Sequence, residues 1–178
     1  MNKHRPVRAR ALVATAGVAC ILVVVALALV TNVRRAEASA LIWPHYSIGA
    51  TGENVRTIQY LLQNAGYTLA TDGTFGPITQ AKVRDFQRVA GLSVTGTVNN
   101  QTWEELVVLL QQGATGPAVV ALQRQLNHVD GAGLDPDGVF GPLTDAAVRH
   151  FQQVIEGEIP TGRVVTLTWN DLVTLTGL

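Results

Sequence analysis

The sequence is poor in the residue types that do chemistry. Its only cysteine, Cys20, lies in an apolar N-terminal run, so the rest of the chain has no disulfide, thiolate metal site or Cys–His nucleophile. Serine is almost absent beyond residue 40, where Ser47 and Ser93 stand in no G-x-S-x-G elbow. The histidines of that part, His45, His128 and His150, show neither H-x-x-x-H nor H-x-H spacing. The usual zinc signature is therefore missing, and no cofactor is assigned. Charged residues make up 15% of the chain and its formal net charge is zero. The balance is uneven. Up to Ala40 there are six basic residues and one acid; from Leu41 onward there are 7 basic and 12 acidic residues, a net charge of −5. A nucleic-acid reader presents a basic face, so nucleic acid is excluded as a partner.

What is present is a repeat. Asp72-Gly73-Thr74-Phe75-Gly76-Pro77-Ile78-Thr79, followed by Val83 and Phe86-Gln87, recurs 65 residues later as Asp137-Gly138-Val139-Phe140-Gly141-Pro142-Leu143-Thr144, followed by Val148 and Phe151-Gln152. Repeats at a fixed period are read before anything else. Asp-Gly predicts a tight turn, because Gly tolerates positive φ and Asp hydrogen-bonds its own backbone. Pro77 suits the first position of a helix. Val83, Phe86 and Val89 or Ala90 share a face of that helix, and Gly91 stands where it stops. Phe75 reads as a plug beneath the turn.

The rest of the chain falls into register around these blocks. Residues 49–112 form repeat one. A first helix carries Val55, Ile58, Leu61, Leu62 and Ala65, capped by Thr51, and a third is capped by Asn99 and carries Trp103, Leu106, Val107 and Leu110. Residues 113–178 form repeat two, opening with Gly113-Ala114-Thr115-Gly116 as the first opens with Gly49-Ala50-Thr51-Gly52. Its later matches are offset by 66, so one residue is inserted between Phe151 and Thr161. Val165 replaces the cap Asn99, which predicts a last helix that starts later or frays. Residues 41–48, with Trp43 and Tyr46, are either a strap on repeat one or a spacer. The fold class is all-α, three short helices per repeat, and the two repeats are expected to share an interface.

Residues 1–40 read as a signal peptide or a signal anchor. Ala11 to Val30 is an uncharged run of twenty residues behind four basic ones, and Ala38-Ser39-Ala40 fits a signal-peptidase site. The run is also long enough to span a bilayer. Either way the basic flank stays inside, so residues from Leu41 onward are exported. A membrane is a partner only through this segment, if it is uncleaved.

Taken together, G-x-x-G-x-x-V-x-x-(I/L)-Q-x-x-L, then D-G-x-F-G-P-x-T, V-x-x-F-Q, T-G-x-V and T-W-x-x-L resemble the peptidoglycan-binding-domain family of small three-helix modules. Both copies carry the pattern, from Gly49 to Leu106 and from Gly113 to Leu172. The resemblance implies an exported or cell-wall protein that binds peptidoglycan through its glycan or stem peptide. An adaptor or inhibitor that binds an exported wall hydrolase is the alternative. Catalysis is not expected: Asp72 and Asp137, the one imaginable glycosidase pair, are equivalent turn positions, and no segment is left over for a hydrolase domain.

The candidate ligand-binding residues are Tyr67, Asp72, Phe75 and Thr79 in the first repeat and Asp137, Phe140 and Thr144 in the second. The start of the second helix offers free N–H groups and a positive dipole end to a carboxylate. Asp72 and Thr79 are placed to bind amide and hydroxyl groups beside it, although Asp72 also reads as a turn residue that only ties its loop. Tyr67 is a candidate sugar platform. Trp103 and Trp169 read as core. Gln87 and Gln152 are expected to hydrogen-bond a neighbouring loop.

Overall fold

A computed structural model describes residues 41–157 and 159–177. The expected signal or anchor helix lies outside the described residues. Residues 41–178 form one compact unit, in which helices α1 (Glu53–Asn64), α2 (Pro77–Val89) and α3 (Asn100–Leu106) make repeat one. Repeat two contains α4 (Pro117–Asp130), α5 (Pro142–Phe151), a π-helical turn (Gln152–Glu156) and α6 (Thr166–Thr176). No strand longer than an isolated bridge occurs among the described residues.

Each first helix is buried along two stripes. Val55, Ile58, Gln59 and Leu62 recur as Val119, Leu122, Gln123 and Leu126, all buried. Their i, i+3, i+4, i+7 spacing puts them on the stripe facing the repeat's own core. A second stripe, Asn54, Thr57 and Leu61 in α1 and Ala118, Ala121 and Gln125 in α4, is also buried, and here α1 and α4 pack on each other. Gln125 Nε2 donates to Asn54 Oδ1 (2.8 Å) and Thr57 Oγ1 (2.7 Å). Asn54 Nδ2 donates to the Val173 carbonyl of α6 (2.7 Å) and to the Tyr46 hydroxyl (2.7 Å). Thr176 Oγ1 donates to Gln125 Oε1. At the rim Arg124 forms a two-pronged ion pair with Glu53 (2.6 and 2.9 Å). A satisfied polar network of this kind fixes one relative orientation, because any sliding strands a buried donor or acceptor. The two repeats therefore share an interface, as the sequence predicts.

Residues 41–48 are a strap. Tyr46 and Val98 exchange backbone hydrogen bonds (3.0 and 2.8 Å). Trp43 stacks on Trp103 at 5.4 Å, and Trp103 Nε1 donates to the Pro44 carbonyl (2.8 Å). Repeat two does the same with residues that the sequence places in a helix. Leu110 bridges Val164 (3.0 and 2.8 Å), and Trp169 Nε1 donates to the Val108 carbonyl (2.8 Å). The expectation that Val107 and Leu110 extend α3 is thus corrected: α3 ends at Leu106, and Val107 is extended (φ −72°, ψ 146°). The β-branched pair Val107-Val108 favours that extended path.

Further corrections concern caps and ends. Thr51 does not cap α1, whose N-cap is Gly52 with no side-chain hydrogen bond. The Thr51 backbone instead bridges Thr74. Ala65 lies beyond α1 and is exposed, and Val89 is also exposed. Asn99 caps α3 by accepting from Thr102 N (3.0 Å). Val165 offers α6 no such bond, yet α6 starts at Thr166, the position equivalent to Asn100, and runs 11 residues. It neither starts late nor is cut short, because Trp169, Leu172 and Val173 are fully buried and packing outweighs the missing cap. The inserted residue is absorbed in the π-helical turn, which ends at Gly157 (φ 67°) as α2 ends before Gly91 (φ 71°). One extra residue per turn is what a π-helix accommodates.

Candidate functional site

The two recurring blocks meet. In repeat one Gly52 N donates to Gly73 O (2.9 Å), Phe75 N to Ala50 O (2.8 Å) and Gly49 N to Phe75 O (3.0 Å). In repeat two the same bonds run from Gly116 to Gly138, Phe140 to Ala114 and Gly113 to Phe140, each 2.9 Å. This close approach explains the turn glycine. Gly73 has φ +76°, and a Cβ there would lie 3.1 Å from Gly52 O; at Gly138 (φ +75°) it would lie 3.2 Å from Gly116 O.

A buried glutamine holds each turn from below. Gln59 Oε1 accepts from Gly73 N (2.8 Å), while its Nε2 donates to Asp72 Oδ1 (2.9 Å), Thr74 O (3.0 Å) and Thr79 Oγ1 (3.2 Å). Gln123 repeats the set with Gly138 N (2.9 Å), Asp137 Oδ1 (2.9 Å), Val139 O (3.1 Å) and Thr144 Oγ1 (3.2 Å). The same device closes the other end of each second helix, where Gln87 serves Gly96 N, Thr97 O and Thr102 Oγ1, and Gln152 serves Gly162 N and Arg163 O. That matches the loop-bonding role expected for Gln87 and Gln152.

Above each Gln–Asp–Thr cluster opens a cleft. The first, of about 140 Å³, is lined by Gln59, Leu69, Asp72, Thr74, Ile78 and Thr79 with neighbouring backbone. The second, of about 160 Å³, is lined by the equivalents Gln123, Leu134, Asp137, Val139, Leu143 and Thr144. Neither α2 nor α5 has a side-chain cap, and each begins with proline. The next N–H groups of the first turn are thus left for a ligand. Asp72 and Asp137 are exposed. In each, the glutamine amide, and after it the N–H two residues on, holds the carboxyl below its ordinary 3.8. Both stay anionic acceptors at any physiological pH.

The sequence-predicted residues divide on this geometry. Asp72 with Thr79, and Asp137 with Thr144, are brought together at the clefts. Both threonines are buried with their hydroxyls bonded to the glutamine. Phe75 and Phe140 are corrected as direct contacts: both are fully buried beneath the turn and show a ligand no surface. Tyr67 lies half-buried, edge-on to Phe86 at 6.5 Å, and is not among the cleft residues. Two pairs were missed. Gln59 and Gln123 were visible as a polar residue recurring inside an apolar stripe. Ile78 and Leu143, 67% and 78% exposed on the cleft walls, were visible as large apolar residues recurring just behind the proline, off the core face. Trp103 and Trp169 are fully buried. Among the described residues no group of three or more His, Cys, Asp or Glu could hold a metal, and no helix is long and apolar enough to cross a membrane.

Fold and cleft together define a class, a tandem three-helix module that offers one small polar cleft per copy. The family comparison is specific about which class this is. Residues 51–106 and 115–172 both match the peptidoglycan binding domain family, and the chain belongs to that family. It is 48% identical over 65 residues to an uncharacterized protein in the bpoA1 3′ region of Kitasatospora aureofaciens, covering 36% of this chain and 54% of that protein. It is 38% identical over 74 residues to the zinc D-Ala-D-Ala carboxypeptidase of Streptomyces albus G, covering 39% and 28%. The chain thus spans about half, or less, of the length of these curated relatives. A solved peptidoglycan-binding protein from Clostridioides difficile, in complex with glutamine hydroxamate, is 33% identical over 35% of this chain and 40% of its own, with a TM-score of 0.35.

Proposed function

We propose that the chain is an exported, non-catalytic cell-wall protein that binds peptidoglycan through its two clefts. The observation that supports this reading most is the recurrence of one cleft. The glutamine, aspartate and threonine are kept at equivalent positions in both repeats, with a large aliphatic residue on each wall, while the stripe of the first helix that faces the other repeat has diverged. A carboxylate or acetamido oxygen of the wall fits the uncapped helix start. Asp72 or Asp137 accepts from a ligand N–H or O–H, and Ile78 or Leu143 covers a methyl group or sugar face. Two weak sites on one polymer bind more tightly than either alone. Because the exported part carries net negative charge, attraction comes from specific groups and is only mildly sensitive to salt.

The test is co-sedimentation of the purified chain with insoluble peptidoglycan sacculi, with turbidity followed in the same tube. Pelleting without clearing is the expected result. Clearing would reveal catalysis. Protein left in the supernatant would end the wall-binding reading and favour the alternative suggested by the carboxypeptidase relative, a wall hydrolase as the partner.

A further inference from the structure

The cleft of repeat two opens, past the shared residues Leu134 and Leu143, into a second compartment of about 430 Å³. This compartment has an apolar floor of Leu134, Leu143, Ala146 and Ala147, an edge formed by Gly131-Ala132-Gly133, and a rim formed by Asp130 and His150. The register of the repeats explains why the space exists. Gln63 and Asn127 each donate to a leucine carbonyl, Leu69 at 2.8 Å and Leu134 at 2.7 Å, which makes Leu69 and Leu134 equivalent. Counting back, Ala132 stands where repeat one has Tyr67, and the 65-residue offset of the second helix puts Ala147 where it has Lys82 and His150 where it has Asp85. In repeat one the Tyr67 ring stands edge-on to Phe86, and Lys82 takes the position of Ala147. In repeat two both large side chains have become alanine.

The rim has a defined chemistry. His150 Nδ1 lies 2.8 Å from Asp130 Oδ2. In the Nδ1–H tautomer the ring donates to Asp130 Oδ2 and leaves Nε2 as an acceptor. The compartment therefore offers a methyl-sized apolar floor beside an acceptor for an amide N–H, in line with a cleft that already takes one group of the wall.

We propose that this compartment is a stem-peptide subsite, so that repeat two binds a peptide-bearing wall fragment while repeat one binds a shorter group. The inference rests on the wall-binding reading. Alanyl methyl groups of the peptide lie on Ala146 and Ala147, and a peptide N–H donates to His150 Nε2. Continuity with the first cleft through Leu134 and Leu143 makes the occupant an extension of the same ligand.

The experiment titrates the purified full chain with two soluble probes, a disaccharide carrying its stem peptide and the same disaccharide without it. Backbone amides are followed by NMR, and sacculus pelleting is run alongside. The expected result is that Gly131, Ala132, Gly133 and His150 shift only with the peptide-bearing probe, which binds repeat two roughly tenfold more tightly than the bare sugar, the effect of one or two well-placed groups. Ala132→Tyr with Ala147→Lys should abolish that preference. Both residues already stand at the equivalent positions of repeat one, so the fold tolerates them. His150→Ala reports the acceptor separately and should lower the preference while leaving the apolar floor intact. Equal affinity of repeat two for the two probes, or a preference that survives the double substitution, would overturn the subsite while sacculus binding persists. Failure to pellet with sacculi would instead overturn the wall-binding reading beneath it.

Discussion

Repeat one and repeat two have kept different things for different reasons. The stripe of the first helix that faces its own core is nearly unchanged, Val55-Ile58-Gln59-Leu62 against Val119-Leu122-Gln123-Leu126. The stripe that faces the other repeat shares nothing, Asn54-Thr57-Leu61 against Ala118-Ala121-Gln125. Here the two stripes complement each other rather than match: Asn54 and Thr57 against Gln125, among small alanines, satisfy one another. Charge follows the same logic. Arg56 braces the first turn through Thr71 O and Asp72 O. Its equivalent Val120 does not, and Arg124 is spent across the interface on Glu53. Divergence marks the interface, and identity marks the core and the cleft.

That contrast can be broken experimentally. The largest effect is expected at the shared glutamines. Gln59→Ala and Gln123→Ala each strand a buried turn N–H and remove the amide that holds the aspartate and the threonine, and each should cost about 2–4 kcal/mol by denaturant unfolding. The costs should be similar, because the two networks are the same. The interface should respond almost as strongly but on one side only. Asn54→Ala leaves the Val173 carbonyl without its donor and removes one of the two acceptors of Gln125 Nε2, at about 2–3 kcal/mol, whereas Ala118→Gly, at the equivalent position, should cost about 1 kcal/mol through helix propensity.

Smaller effects sharpen the comparison. Asn99→Val should lose about 1 kcal/mol and Val165→Asn should gain up to the same amount, measured as opposite shifts in Tm. For Glu53, burial alone would raise the pKa, but the Arg124 hydrogen bond and the Arg124 and Arg56 charges outweigh it and hold it below its ordinary 4.5. A lowered folded pKa contributes stability that is fully present above pH 4.5 and is lost as pH falls through the folded value. The folded wild type should therefore lose stability in acid below pH 4.5 more steeply than Glu53→Gln, read by denaturant unfolding across pH. At the clefts, Asp72→Ala with Asp137→Ala should weaken sacculus pelleting roughly tenfold with the fold retained. Pelleting by the unaltered chain should weaken only at a lower pH than an ordinary aspartate would dictate, since both carboxyls are held below 3.8. Unchanged pelleting by the double variant would remove the carboxylates from the binding scheme.

Much of this was legible in the sequence because the repeat supplied its own comparison. The turn, the proline start of α2 and α5, the Asn99 cap and the insertion all follow from residues that recur or fail to recur. The straps followed only in part: residues 41–48 read as a strap or a spacer, and residues 107–110 read as helix. Trp43-Pro44-His45-Tyr46 and Val107-Val108-Leu109-Leu110 do the same task with no residue in common, because the task is done by backbone carbonyls and a bridge that many side chains allow. The end of α3 was missed for the same reason, since an apolar run after Leu106 reads equally as helix or as extended chain. At the cleft, the aspartates and threonines that line it stood out by type and spacing. The glutamines beneath them were overlooked, because a polar residue in a buried stripe gains meaning only when its partners on a distant turn are known.

The strap also decides where the molecule can be divided. Tryptophan Trp169 is covered by residues that precede the Gly113-Ala114-Thr115-Gly116 opening of its repeat, through the Val108 carbonyl and the Leu110 bridge. A fragment begun at Gly113 would carry a bare indole N–H and a raw edge at Val164, and would misreport the second repeat as unstable. One begun at Val107 would carry its own lid, and a cut between Leu106 and Val107 keeps each repeat's lid with its core while baring the stripe that faces the other repeat.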